Sequence, residues 1–143
     1  MAFDPLDSSM EQDAVDDVVA TAIENNEVVL FMKGTPQMPQ CGFSQKAVDL
    51  VARHRPDVHT VDALESLEEF RNALEDHSGW ETIPQTFVDG EFVGGSDILA
   101  ELEERGELAD ELNAENADPD ATDPTEAGAS DGPSLDDDVN APF

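Results

Sequence analysis

A single cysteine, Cys41, is the side chain of this sequence best suited to covalent or metal chemistry. It follows the loop 33–40, which joins the apolar run Val28–Met32 to a segment with apolar residues at helical spacing. This order predicts a strand, a loop and a helix that begins at the cysteine. Unpaired N–H groups and the positive end of the helix dipole favour a thiolate at that position. A thiolate can act as a nucleophile or as a metal ligand.

Three residues after the cysteine, where a second cysteine would allow an internal disulfide, the chain has Ser44. Any disulfide of Cys41 must therefore be formed with a thiol from outside the chain. The alternative is a lone cysteine that packs as a small apolar residue and carries no chemistry.

The net charge restricts the partners that the protein can have. The chain has 35 Asp and Glu against 6 Lys and Arg, and residues 113–143 carry nine of the acids and no base. Such a surface repels phosphates and anionic lipids, which argues against nucleic acid and membranes as partners. No apolar run approaches the length of a membrane span, and no signal peptide is recognisable. With one cysteine in the chain, we expect a cytoplasmic location.

Acidic excess of this size destabilises a compact state at low ionic strength, because like charges on the surface repel one another. Salt at about 1 M reduces the Debye length to about 3 Å and removes most of that repulsion. We therefore expect a halophilic protein adapted to a cytoplasm rich in salt. The alternative is an acidic protein with an acidic tail that folds equally well at low salt.

The apolar pattern predicts the element order α, β, α, β, α, β, β, α, with helices packed over a small mixed sheet. One domain is expected over residues 9–112, after a frayed N-terminus over residues 1–8. Residues 113–143 alternate acids with Ala, Pro, Ser, Gly and Thr without periodicity, which is typical of a disordered acidic tail.

Short motifs add local detail to this order. Asp89-Gly90 predicts a two-residue hairpin turn, and Gly94-Gly95 indicates a close backbone approach. Three helices have candidate N-caps before their first apolar residue. These caps are Ser9 for the first helix, Ser66 for the third, and Ser96 or Asp97 for the fourth.

The segment around the cysteine resembles the monothiol glutaredoxins, and the resemblance covers about residues 14–112. It implies a thioredoxin-like (glutaredoxin) α/β fold with a small four-stranded mixed sheet flanked by helices. The matching motifs occur in the family's order: Lys33-Gly34-Thr35-Pro36, Cys41-Gly42-Phe43-Ser44, Thr82-Ile83-Pro84 and Gly94-Gly95-Ser96-Asp97.

The resemblance also assigns residues to a glutathione site. It implies that Lys33 and Arg71 bind the glycyl carboxylate and that Asp97 takes the amine of the γ-glutamyl group. Phe43 is either a ligand contact or a packing residue. We expect Trp80 to pack beside the turn at the third strand.

Main-chain groups complete the implied site. Thr82, Ile83 and a cis Pro84 present a backbone that pairs with the cysteinyl part of the ligand, as in strand addition. Gly95 and Ser96 lie at a helix start suited to a carboxylate. Many relatives have cysteine at the position of Ser96, and its absence removes a second thiol.

Two functions follow from one thiolate. The resemblance implies an iron–sulfur carrier in which a [2Fe–2S] cluster bridges two chains through Cys41 of each and two glutathione molecules, for delivery to client apo-proteins. The alternative is a glutathione-dependent thiol–disulfide oxidoreductase, with a mixed disulfide at Cys41. A redox-silent adaptor is a third class. The small thiol is glutathione or, in a halophilic archaeon, γ-glutamylcysteine.

Overall fold

The computed structural model describes residues 11–118, 120, 121 and 124, and its elements follow the order that the sequence predicts. None of the helices in this part of the chain is long and apolar enough to cross a membrane. The elements are α1 (Gln12–Asn25), β1 (Val28–Met32), α2 (Gly42–His54), β2 (His59–Asp62), α3 (Leu67–Ser78), β3 (Gln85–Val88), β4 (Glu91–Gly94), α4 (Ser96–Glu104) and α5 (Leu108–Glu111), with short 3-10 helices at Leu64–Ser66 and Ala114–Asn116.

The four strands form one mixed sheet in the order β2-β1-β3-β4. Strand β2 runs parallel to β1, with His59 opposite Val29, whereas β3 is antiparallel to both of its neighbours. The predicted thioredoxin-like arrangement of a four-stranded mixed sheet with flanking helices is confirmed.

Strand β1 is buried along its whole length because helices cover both faces of the sheet. Alternate side chains of a strand point to opposite faces. Val29 and Phe31 accordingly pack with α1 and α3, while Leu30 and Met32 pack with α2, α4 and α5. The absence of alternation in the apolar run therefore reflects two cores, one on each side of the sheet.

The glycine motifs behave as predicted. Asp89 and Gly90 both have positive φ, 53° and 82°, as a two-residue hairpin turn requires. Gly94 has φ 155°, and a Cβ at this position would lie 2.5 Å from the Cβ of Ile98. The start of α4 can therefore lie directly against β4 only with glycine there.

The predicted helix caps have three different outcomes. Helix α4 has Gly95 as its N-cap, with Ser96 already inside the helix and no side-chain capping hydrogen bond, so the predicted cap at Ser96 or Asp97 is wrong. A Cβ at position 95 would lie 3.0 Å from the Pro84 carbonyl oxygen, so this close approach favours glycine as the N-cap residue. Ser66 is the N-cap residue of α3, but its side chain makes no capping hydrogen bond. The predicted cap Ser9 lies outside the described residues, and α1 begins at Gln12.

The buried Arg55, only 3% exposed, fastens the C-terminal part of the domain. Its guanidinium donates hydrogen bonds to the carbonyls of Leu112 and Asn113 and forms ion pairs with Glu27 and Asp57. The amide of Asn113 in turn donates to Glu27. The sequence predicts the acidic tail from residue 113, yet residues 113–118 contact the domain. Most of the remaining tail, like the N-terminal residues 1–8, lies outside the described residues.

Candidate functional site

Cys41 is the N-cap residue of α2, as the sequence predicts, and its side chain is partly exposed. The preceding loop is a tight hairpin rather than an open extension. The Gln40 N–H donates to the Lys33 carbonyl at 2.9 Å, and Thr35 and Met38 exchange backbone hydrogen bonds at 3.1 and 3.3 Å. The approach to the thiol is therefore held by the loop's own main chain.

The pKa of the Cys41 thiol is lowered from its ordinary value. The largest cause is the backbone N–H of Ser44, which hydrogen-bonds the sulfur, and burial opposes it. The N–H of Phe43, the charge of Lys33 and the Ser44 hydroxyl lower the pKa further. Helix-terminal N–H groups and a nearby cation thus favour the thiolate, as the sequence predicts.

The side chains of Ser44 and Asp62 hold the two ends of the loop, a role that the sequence did not predict. Ser44 is fully buried, and its Oγ accepts a hydrogen bond from the Lys33 N–H at 2.9 Å. Asp62, at the end of β2, accepts from the Gly34 N–H and from the Leu64 N–H, both at 2.9 Å. The bond from Asp62 to the residue two positions later is an Asx turn, which the sequence could have indicated. The bond from Asp62 to Gly34 depends on the pairing of β1 with β2.

A cavity of about 610 Å³ lies at the same end of the sheet. Seven of the residues that the resemblance assigns to glutathione line it. The Ile83–Pro84 peptide bond is cis, as expected. These seven are Phe43, Thr82, Ile83, Pro84, Gly95, Ser96 and Asp97.

The aromatic side chains at the cavity are more exposed than the sequence suggested. Trp80 is 60% exposed and lines the cavity, so the prediction that it packs beside the Pro84 turn is wrong. The Ser78 hydroxyl and the Gln85 amide hold the backbone of Trp80, and the indole is left at the surface. Phe43 is 62% exposed and also lines the cavity, which favours the role of a ligand contact.

Lys33 and Arg71 do not line the cavity. Lys33 is half-buried directly after β1 and acts on the Cys41 sulfur through its charge. Arg71 is half-buried on α3. Neither forms an ion pair with a carboxylate of residues 11–118, unlike Arg53 and Arg55. Their charges remain available to a ligand of opposite sign.

The first turn of α4 lies at the cavity. Gly95 has no side chain that could accept from the first N–H groups of the helix, and no other side chain of the described residues caps them. These N–H groups and the helix dipole favour a carboxylate. Asp97, exposed on the same turn, suits an amine. Ile83 and the start of α4 line the cavity, whereas Cys41 does not line it and lies two residues before Phe43, which does.

No three His, Cys, Asp or Glu side chains within the described part of the chain form a cluster that could hold a metal ion.

Comparison with known proteins identifies the family. The glutaredoxin family model matches residues 28–93, from the start of β1 into β4. The chain is 48% identical over 91 residues to a monothiol glutaredoxin, ycf64, of Porphyra purpurea, covering 64% of this chain and 84% of that protein. It is 40% identical over 108 residues to the mitochondrial monothiol glutaredoxin-S15 of Arabidopsis thaliana, covering 76% of this chain and 62% of that protein.

Comparison with solved structures points to the same family. The solution structure of reduced poplar apo GrxS14 superposes with a TM-score of 0.61 at 38% identity, covering 73% of this chain and 95% of that one. Sequence and fold therefore agree, and the chain belongs to the monothiol glutaredoxins.

Proposed function

We propose that the protein carries a [2Fe–2S] cluster as its cargo, bridged between two chains, and transfers it to apo-proteins. The observation that carries this proposal is a partly exposed thiol with a lowered pKa and no second cysteine in the sequence, two residues before Phe43, which lines the cavity.

Ligand count leads from one thiolate to a dimer. A [2Fe–2S] cluster is usually held by four thiolates. Each chain supplies one through Cys41, and one small thiol bound in the cavity of each chain supplies another. Two of the four ligands are then exchangeable, which suits a cluster that must be passed on.

The residues at the cavity fit glutathione or γ-glutamylcysteine. The N–H groups at Ser96 and Asp97 would hold the γ-glutamyl carboxylate, with the Asp97 side chain on the amine. The backbone at Ile83 would pair with the cysteinyl unit. Lys33 and Arg71 would attract a terminal carboxylate, over a distance in the case of Arg71.

Anaerobic reconstitution tests the proposal. Purified protein is incubated without oxygen with ferric iron, sulfide and glutathione, and visible absorption, iron and sulfide content and molecular mass are measured. We expect about one cluster per two chains and a dimeric mass. The same experiment with γ-glutamylcysteine compares the two thiols.

Cys41→Ser is the matched control, because it removes the sulfur and keeps the shape of the side chain. A colourless, monomeric native protein under these conditions would contradict the proposal. The same holds if Cys41→Ser retains as much iron as the native chain.

A second candidate function rests on the lowered pKa of Cys41, which also suits a nucleophile. The thiolate would attack the glutathione sulfur of a glutathionylated protein and release the protein thiol. A second glutathione thiolate would then attack the Cys41 mixed disulfide, releasing oxidised glutathione and restoring Cys41. Steady-state turnover of a glutathione mixed disulfide distinguishes the two, since fast turnover by cluster-free protein would favour the oxidoreductase.

A further inference from the structure

We propose that Gln85 is the positioning residue for one wall of the thiol cavity. Its buried side-chain amide holds the segment Trp80–Thr82 in place through hydrogen bonds to the backbone. The inference rests on the proposed function in one respect, namely that the cavity binds a small thiol.

Gln85 is the first residue of β3 and only 1% exposed. Its Nε2 donates two hydrogen bonds back to the preceding segment, to the Trp80 carbonyl at 2.8 Å and to the Thr82 carbonyl at 2.9 Å. Both donors of one amide are thus used on two carbonyls two residues apart. Trp80 and Thr82 both line the cavity.

The other end of the amide indicates that packing alone does not account for the residue. The Oε1 atom of Gln85 is buried and has no hydrogen-bond partner in the described part of the chain. Leaving a buried carbonyl unpaired costs free energy, and methionine or leucine would fill similar space without that cost. Glutamine is therefore required at this position for the two N–H donors of its Nε2 atom.

The segment needs such a support because it belongs to no helix or strand. It lies between Gly79, the left-handed C-cap of α3, and the start of β3. The Ser78 Oγ accepts a hydrogen bond from the Trp80 N–H at 3.0 Å and donates a longer one, 3.2 Å, to the Trp80 carbonyl. With Gln85 on the Trp80 carbonyl, the backbone of Trp80 is held from both sides while its indole lies at the surface.

The test uses Trp80 as its own reporter, since it is the chain's single tryptophan. In Gln85→Met we expect the fluorescence anisotropy of Trp80 to fall. We expect the Kd for glutathione, measured by titration calorimetry, to rise about tenfold, the factor corresponding to roughly one net hydrogen bond. Thr86→Val is the matched control. Thr86 is the next residue of the same strand, fully buried, and its hydroxyl has no partner among the described residues. It should leave both quantities unchanged within about twofold.

Ser78→Ala provides a second variant near the surface, which keeps the core intact. It removes the bonds of the Ser78 hydroxyl to the Trp80 N–H and carbonyl and leaves both Gln85 bonds in place, and we expect a smaller fall in anisotropy. A folded Gln85→Met with native anisotropy and native Kd would overturn the proposal. If that variant does not fold, Gln85→Leu takes its place, and native anisotropy and native Kd in that variant overturn the proposal. A native chain that does not bind glutathione would contradict the proposed function, while the anisotropy difference would still decide whether Gln85 holds the wall.

Discussion

The buried Oγ of Ser44 accepts a hydrogen bond from the backbone N–H of Lys33 at 2.9 Å. This bond ties the first turn of α2 to the end of β1, and so fixes both ends of the loop that leads to Cys41. The residue that replaces a second cysteine is therefore part of the structure that positions the thiol. The same hydroxyl also lowers the pKa of Cys41.

Ser44→Ala should therefore destabilise the fold and raise the pKa of Cys41. The Lys33 N–H would lose its partner in a buried position, at a cost of about 1–3 kcal/mol. Urea unfolding measures the first effect, and thiolate ultraviolet absorbance against pH measures the second. Gln45→Ala, at the exposed neighbouring position, is the control. An unchanged thiol pKa in Ser44→Ala would contradict the assigned role.

Lys33 and Lys46 form a matched pair of cations for testing electrostatics at the thiol. Neither forms an ion pair with a described carboxylate. The charge of Lys33 lowers the pKa of Cys41, and Lys46 is not among the groups that do so. Lys33→Gln should raise the pKa of Cys41 and slow its alkylation at neutral pH about two- to threefold, because exposed charge interactions contribute under about 1 kcal/mol. Lys46→Gln should leave the rate unchanged. Equal slowing in both variants would indicate a general charge effect.

Alanine substitutions at Gly34, in the loop, and at Gly42, beside Cys41, test which of the two glycines the backbone conformation requires. Gly34 has φ +92°, and a Cβ there would lie 2.6 Å from the Met38 carbonyl oxygen. Gly34→Ala should destabilise the protein by about 1–3 kcal/mol. Gly42 meets nothing within 4 Å and has no positive φ, so Gly42→Ala should be neutral or stabilising by up to about 1 kcal/mol. Urea unfolding of both variants measures the difference, and a tolerant Gly34 would show that the hairpin loop can rearrange.

The Arg55 network predicts a dependence of stability on pH. Asn116 and then Arg55 hold the pKa of Glu27 below its ordinary value, and Arg55 does the same for Asp57. Carboxyls with lowered folded-state pKa stabilise the fold above their ordinary pKa values, and this contribution is lost as the pH falls through the folded-state values. Arg55→Met should therefore cost about 3 kcal/mol at neutral pH and less at about pH 3.

Arg105→Met is the control for this series, because Arg105 pairs with Glu101 at the surface. Its cost should be at most about 1 kcal/mol at any pH. Urea unfolding at the two pH values gives both differences. A cost of Arg55→Met that is independent of pH would show that packing and the carbonyl hydrogen bonds, rather than the two carboxylates, account for it.

The net charge of −29 predicts that salt stabilises the whole fold. Because the Debye length falls from about 30 Å at 0.01 M to about 3 Å at 1 M, repulsion between surface carboxylates should largely disappear over that range. Thermal unfolding followed by circular dichroism in KCl measures the effect as a rising Tm. Equal Tm values at both concentrations would argue against halophilic adaptation.

Much of the fold could be predicted because its signals are local. The unbroken apolar run of β1, the helical spacing after Cys41 and the Asp89-Gly90 turn each depend on a few neighbouring residues. They predicted the right element types in the right order. The position of Cys41 at a helix start, and hence its lowered pKa, followed from the same local pattern.

The site was only partly predictable, because its remaining features depend on which elements meet. Asp62 reaches Gly34 through the pairing of β1 with β2, and the Gln85 amide reaches back from the first residue of β3 to the Trp80 carbonyl. None of these contacts follows from the spacing of residues along one segment.

The amino-acid sequence by itself determined the element order, the single thiolate at a helix start and the acidic surface, since each is a property of neighbouring residues or of composition. The tertiary structure decided how Ser44 and Asp62 hold the loop, how Gln85 supports the cavity wall, and why the indole of Trp80 lies at the surface. The bonds of Ser44 and Asp62 join different elements of the fold, and those of Gln85 return to a segment outside every helix and strand, so no periodic pattern in the sequence indicates them.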